Sequence, residues 1–311
     1  MVETVDLVLE GGGVKGIGLV GAISVLEEHG MSFARVAGAS AGAIVGSLVA
    51  GGMGAAQLQE LMASLDYTRF RDETRLDHLS VLGKGMSLWL AHGLYAGDYF
   101  HGWIREQLAG LGVSRFADLY SPDAGSSIPP DEQYKLVVMT SDVSRGRLLR
   151  LPWDYTADGI EARLQMVADA VRASMSIPFF YRPVTLEIPK AASSVLVDGG
   201  MLSNFPVDTF DRTDGKPPRW PTIGIKLSAQ QVPNQVEHVV KGDLSLAMGM
   251  LGTMQSWNDQ MHLNDPAALK RTIFVDTFGL NATDFSIDRS TQQKLFASGR
   301  QAAERFLAAQ T

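Results

Sequence analysis

Two stretches near the start decide the fold. Val5-Asp6-Leu7-Val8-Leu9 runs into Gly11-Gly12-Gly13-Val14-Lys15-Gly16, and Val36-Ala37 runs into Gly38-Ala39-Ser40-Ala41-Gly42. Each is a short apolar run ending in a glycine-rich turn, which predicts a buried strand feeding a helix. After the first turn, Ile17, Val20, Ile23, Val25 and Leu26 recur at helical spacing as far as His29, and Gly30 suits the helix C-cap. Phe33 to Ala37 reads as the second strand and Ala41 to Ala50 as the second helix. Strand, helix, strand, helix in that order implies a parallel sheet with right-handed crossovers.

The first glycine cluster admits three chemistries. A Walker A loop needs Lys and Ser/Thr directly after the last glycine, but Ile17 and Gly18 follow Gly16. A dinucleotide fold matches Gly11-x-Gly13-x-x-Gly16, yet the end of the next strand, Val36-Ala37-Gly38-Ala39-Ser40, offers no carboxylate for a ribose. The third is an oxyanion hole, in which glycine N–H groups stabilise a developing alkoxide. It needs a nucleophile nearby, and Gly38-x-Ser40-x-Gly42 between strand and helix has the nucleophile-elbow pattern. The plainer reading makes Ser40 an N-cap in a glycine-rich turn; pairing with the first cluster favours catalysis.

A serine nucleophile needs a base, usually histidine. His29 reads as a helix C-terminal charge, and His78, His92, His101, His238 and His262 sit in no recognisable turn. Asp198, ending the apolar Val195-Leu196-Val197 before Gly199-Gly200, is the alternative. It is either an ordinary Asp-Gly turn or a carboxylate that a parallel-sheet strand delivers to the same edge as Ser40, where α/β sites assemble. As a base it would need partial burial to raise its pKa.

Three motifs together resemble the patatin-like phospholipase family: the Gly11–Gly16 cluster, the Ser40 elbow and Asp198-Gly199-Gly200. Ala173-Ser174-Met175-Ser176-Ile177-Pro178, Asn204-Phe205-Pro206 and the tail from Asp284-Phe285-Ser286 through Gly299 extend the similarity. The resemblance implies a three-layer α/β/α fold with a mostly parallel central sheet and a Ser40–Asp198 dyad without a triad histidine. It also implies an oxyanion hole from Gly11, Gly12, Gly13 and Ala41, and no metal or organic cofactor. Lys15 stands where the family carries Arg or Lys, either positioning the loop or a substrate phosphate, or simply solvated. The implied activity is ester hydrolysis on lipids, of phospholipase A or lysophospholipase type. A general carboxylesterase, an acyltransferase and a non-catalytic lipid-binding module are the alternatives.

Composition narrows the classes further. The chain has 311 residues, 27 Lys+Arg against 34 Asp+Glu, and no cysteine. A net charge of −7 with no basic run argues against nucleic-acid binding and offers no pull toward anionic lipid. Membrane contact would then be hydrophobic and transient. Without cysteine, disulfides, thiol catalysis and Cys-ligated zinc are excluded. Of the 32 glycines, 13 fall in the first 54 residues, where an even spread would place about five or six, so the excess marks the motif-bearing end.

Met1 to Asp6 has no basic residue, so no targeting peptide is expected there and the protein is expected to be cytoplasmic, with at most peripheral membrane contact. Val36 to Gln59 holds 24 uncharged residues but many glycines, and reads as a buried helix better than as a membrane span. Further along, helices are expected over Leu58–Leu65, Gly97–Leu108, Ile160–Ser174 and Ser290–Gln310. Strands are expected over Lys135–Thr140, Val195–Val197, Thr222–Leu227 and Thr272–Val275. Tyr120 to Gln133 reads as a loop insertion, and residues 1–311 as a single domain. Residues 81–104 read either as a lid over the acyl site or as helical core. Met248, Met250, Met254 and Met261 near Trp257 read as acyl-channel lining or core.

Overall fold

A computed structural model describes residues 3–71, 95–228, 249–250, 252–254 and 265–310. Among these, eight strands form one mixed sheet; in spatial order they are β5 (Val184–Leu186), β6 (Ser194–Asp198), β3 (Leu136–Asp142), β2 (Met31–Gly38), β1 (Glu3–Leu9), β7 (Thr222–Lys226) and β8 (Thr272–Phe274), with β4 (Arg147–Leu151) also on β3. The core strands are β1 (Glu3–Leu9), β2 (Met31–Gly38), β3 (Leu136–Asp142), β7 (Thr222–Lys226) and β8 (Thr272–Phe274), paired in parallel. Their near-continuous burial explains why they read as apolar runs rather than alternating ones.

Helices α1 (Ile17–Glu28) and α2 (Ala41–Ala50) follow the two glycine turns as expected. Then come α3 (Ala55–Ser64), α4 (Asp98–Gly110), α5 (Val167–Ser174), α6 (Pro266–Lys270) and α7 (Arg289–Ala308). The last packs along α1, and Asp288 caps it by accepting from the Thr291 N–H at 2.7 Å. The opposite sheet face is closed by the chain after β6, where Phe205 and Val207 lie against Gly224 of β7 and the guanidinium of Arg35 sits 4.6 Å from the Phe210 ring centroid. The uncharged Val36–Gln59 stretch is the end of β2, all of α2 and the start of α3. No helix among the described residues is long and apolar enough to cross a membrane.

The helix expected over Ile160–Ser174 forms only from Val167. The Phe116 N–H donates to the Gln165 carbonyl and the Val167 N–H to the Ser114 carbonyl, so the backbone there is spent on an antiparallel bridge between Arg115 and Met166. Strands β4 (Arg147–Leu151) and β5 (Val184–Leu186) were not anticipated, because neither is a continuous apolar run.

The main departure concerns β6 (Ser194–Asp198). A parallel strand was expected to deliver Asp198, but β6 runs antiparallel to β3, pairing Thr140 with Asp198. At Thr140, β3 pairs with both β4 and β6; at Val138 it pairs with both β4 and β2. A strand has two edges, so β2 and β6 share one and approach each other end to end, Gly38 opposite Val138 and Asp198 opposite Thr140. Only Met139 separates the two pairings. The junction has no room for side chains: a Cβ on Gly199 would lie 2.1 Å from the Met139 carbonyl oxygen, and one on Gly42 would lie 2.2 Å from that of Leu9.

Gly42→Ala should therefore lower stability by about 2 kcal/mol or more through overpacking. Gly102→Ala, in the exposed interior of α4 with open space around it, should raise stability by about 0.5–1 kcal/mol. Urea midpoints read both, and equal effects of the two substitutions would contradict the packing described.

Candidate active site

Ser40 is the N-cap of α2, with φ 49° and ψ −119°. A positive φ is strained for serine, by about 1–3 kcal/mol, and persists only where the surroundings hold it. Here the Ser40 N–H donates to the Ser174 hydroxyl oxygen at 2.9 Å, and the Ser40 carbonyl accepts from the Ala43 and Ile44 amides at 3.0 and 3.1 Å. The residue is only 6% exposed.

Asp198 is 3% exposed. Its N–H donates to the Ser176 carbonyl at 2.9 Å, and its Oδ1 accepts from the Gly200 N–H at 2.7 Å. Burial pushes its carboxyl up to about 7, against the opposing pull of hydrogen bonds from the Ser40 side chain and the Gly200 amide. Ser40 and Asp198 are thus close neighbours whose side chains interact. The Ser174–Ser176 segment brackets them, holding one by a hydroxyl and the other by a carbonyl.

The Gly12, Gly13 and Ala41 amides have no acceptor among the described residues, and Gly13 takes φ 55°. Gly11 does not join them. Its N–H is already given to the Asn204 carbonyl at 3.0 Å, so three of the four amides anticipated from the motifs are without an acceptor among the described residues. Ala41 opens α2, whose N-terminal dipole adds to the positive potential there. Ser40, Ala41 and Gly13 border an apolar pocket walled by Met62, Tyr67, Phe70, Trp103, Tyr181 and Phe285 among others. Its lining is apolar, as an acyl chain would require.

The strained serine, the buried carboxylate near it and the glycine loop all lie within residues 7–211, which match a family model described as patatin-like phospholipase. The chain belongs to the patatin-like phospholipase family. It is 32% identical over 304 residues to the uncharacterized protein YqhO of Bacillus subtilis (strain 168), covering 97% of this chain and 98% of that protein. It is 23% identical over 226 residues to the uncharacterized protein R571 of Acanthamoeba polyphaga mimivirus, covering 72% of this chain and 65% of that one. The crystal structure of VipD from Legionella pneumophila shares the fold, with TM-score 0.55 and 17% identity, over 99% of this chain and 67% of that one. Family and fold together support lipid acyl hydrolysis as the general activity.

Within this patatin-like framework the remaining expected residues separate. Lys15 lies in the 3-10 turn Gly13–Gly16 beside Gly12 and is not part of the pocket wall. Of residues 81–104, those from 95 onward are described: Phe100 and Ile104 are core, and Phe100 and Trp103 wall the pocket. Residues 81–94, and Met248, Trp257 and Met261, lie outside the described residues, while Met250 and Met254 are exposed. His29 bonds the Val25 carbonyl at the end of α1, and His101 pairs with Asp169 at 2.7 Å; neither borders the pocket.

Sequence reasoning assigned no contact to Ser174 and overlooked Arg172. Arg172 donates to the Ser176 hydroxyl and to the carbonyls of Ala96 and Arg182 at 2.6 and 3.1 Å, fixing the bracket from behind. The resemblance to the family singled out Ala173–Pro178, but nothing local in that stretch says which atoms it holds.

The raised carboxyl has a thermodynamic consequence. Between pH 3.8, the ordinary value, and about 7, unfolded Asp198 is ionised while folded Asp198 keeps its proton. Stability contributed by this group is therefore lost as pH rises through that window, by about 4 kcal/mol in full. Asp198→Asn should be more thermostable than the parent at pH 8, and the difference should shrink toward pH 4. A pH-independent difference in Tm would contradict the burial argument.

Proposed function

We propose that the protein cleaves carboxylic ester bonds of lipids, in the manner of a phospholipase A or lysophospholipase, with Ser40 as nucleophile and Asp198 as general base and acid. The observation that carries the reading is a strained Ser40 beside a buried Asp198 whose carboxyl is pushed up to about 7, at the edge of an apolar pocket.

In acylation, Ser40 Oγ forms a bond to the ester carbonyl carbon while its proton passes to Asp198. The carbonyl π electrons move onto oxygen, and the Gly12, Gly13 and Ala41 amides face that oxyanion. Collapse of the tetrahedral adduct expels the alcohol, which takes the proton from Asp198 and leaves an acyl-Ser40 ester. In deacylation a water gives its proton to Asp198 and its oxygen to the acyl carbon. The Ser40 oxygen then leaves with that proton and the free acid departs. An ordinary carboxylate would be too weak a base for a hydroxyl; burial brings Asp198 nearer the working pH. The apolar wall holds the acyl chain and keeps water away from the developing charge.

Only the ionised carboxyl can accept the serine proton, so activity should rise with pH on the acid side. In a panel of p-nitrophenyl esters, lysolipids and diacyl phospholipids, we expect kcat/KM to fall tenfold per pH unit below about 7, with its midpoint near that value. Ser40→Ala should lower kcat/KM by at least ~10⁴-fold. Turnover by purified Ser40→Ala at the parental rate would overturn the assignment. Product identification across the panel reads which ester position is cut.

A further inference from the structure

The Asn204-Phe205-Pro206 stretch, six residues after Asp198, takes no part in the chemistry above, yet it grips the start of the glycine loop. The Asn204 carbonyl accepts from the Gly11 N–H at 3.0 Å, and its Nδ2 donates to the Gly11 carbonyl and to Glu10 Oε1, each at 3.3 Å. Gly11 must lack a side chain for this, because a Cβ there would lie 2.3 Å from Asn204 Oδ1. Glu10 is itself anchored. Its buried carboxylate is ion-paired with Lys226 at the end of β7 and accepts from the Leu227 N–H. Leu227 packs beneath Gly12, and Lys226 Nζ sits 5.3 Å from the Phe205 ring centroid.

Peptide planarity turns this grip into an aiming device. The Gly11 carbonyl and the Gly12 N–H belong to one trans peptide and point in opposite directions. Holding the carbonyl fixes the direction of the N–H. Glycines on both sides of that peptide give it no steric preference of its own, so an external clamp must supply one. We propose that Asn204, backed by the Glu10–Lys226 ion pair, is a positioning residue that aims the Gly12 amide at the oxyanion. The loop from Asp198 to Asn204 then carries the proposed base at one end and the clamp on the oxyanion loop at the other. The proposal rests on the acyl-hydrolase reading given above.

The test uses the full chain with Asn204→Ala, which removes the donor, and Asn204→Asp, which keeps the shape but turns an acceptor toward two acceptors. Rates are counted per site labelled by a fluorophosphonate at end point, so only competent protein is compared. For both variants kcat should fall about 10- to 100-fold, with KM changed less than about threefold. The inhibition constant of a trifluoromethyl ketone, which binds as a tetrahedral adduct, should rise in step with the loss in kcat/KM. The acid-limb midpoint should stay where it is in the parent. A clamp that serves only stability would lower Tm and leave per-site kcat and ketone affinity unchanged, and that result overturns the proposal. If Asn204→Ala fails to fold, the near-isosteric Asn204→Asp decides alone. A parent chain without Ser40-dependent turnover would instead overturn the underlying reading, so the two failures are distinguishable.

Discussion

Two strands ending head to head on one edge of a third is the constraint from which the site follows. β2 arrives from one direction and β6 from the other, and β3 offers both the same edge with Met139 between them. Ser40 lies two residues past the end of β2 and Asp198 is the last residue of β6, so pairing register alone brings them together. Backbone ladders are cooperative and well packed, which makes this a more rigid way to meet than two long side chains reaching across a cleft. The same crowding dictates the glycines at 42 and 199, where a Cβ would strike a neighbouring carbonyl.

Burial at that junction has two effects of opposite sign. It withdraws the Asp198 carboxyl from water, which destabilises the charged form and weakens the fold above neutrality. It also brings the carboxyl close to the pKa a general base needs, with the Ser40 side chain beside it. The strain in the Ser40 backbone is of the same kind: unfavourable locally, and held by Ser174, by α2 and by the absence of side chains at the flanking glycines. Folding free energy supplied by the large core offsets both.

Much of the site was legible because its parts are local. Strand, glycine turn and helix are written contiguously at Val5–His29 and Val36–Ala50, and Asp198 stands at the end of an apolar run before two glycines. What could not be read is what joins them. Ser174 reaches Ser40 across 134 positions and Asn204 reaches Gly11 across 193. A serine or asparagine gives no local signal of such a partner. The direction of β6 was equally hidden, because Val195-Leu196-Val197 is as apolar as a parallel strand would be. The Gly11 amide illustrates a subtler limit: glycine content marks a loop whose N–H groups can face a ligand, but not which of them a neighbouring carbonyl has already taken.

The chemistry proposed for Ser40 requires an acyl group to pass through its oxygen, and trapping that intermediate is the decisive measurement. Protein incubated with excess p-nitrophenyl ester, quenched in acid during turnover and examined by intact and peptide mass spectrometry should carry one acyl group, located on the peptide containing Ser40. Sustained ester hydrolysis with no acyl adduct at Ser40, or with the adduct on another residue, would contradict it.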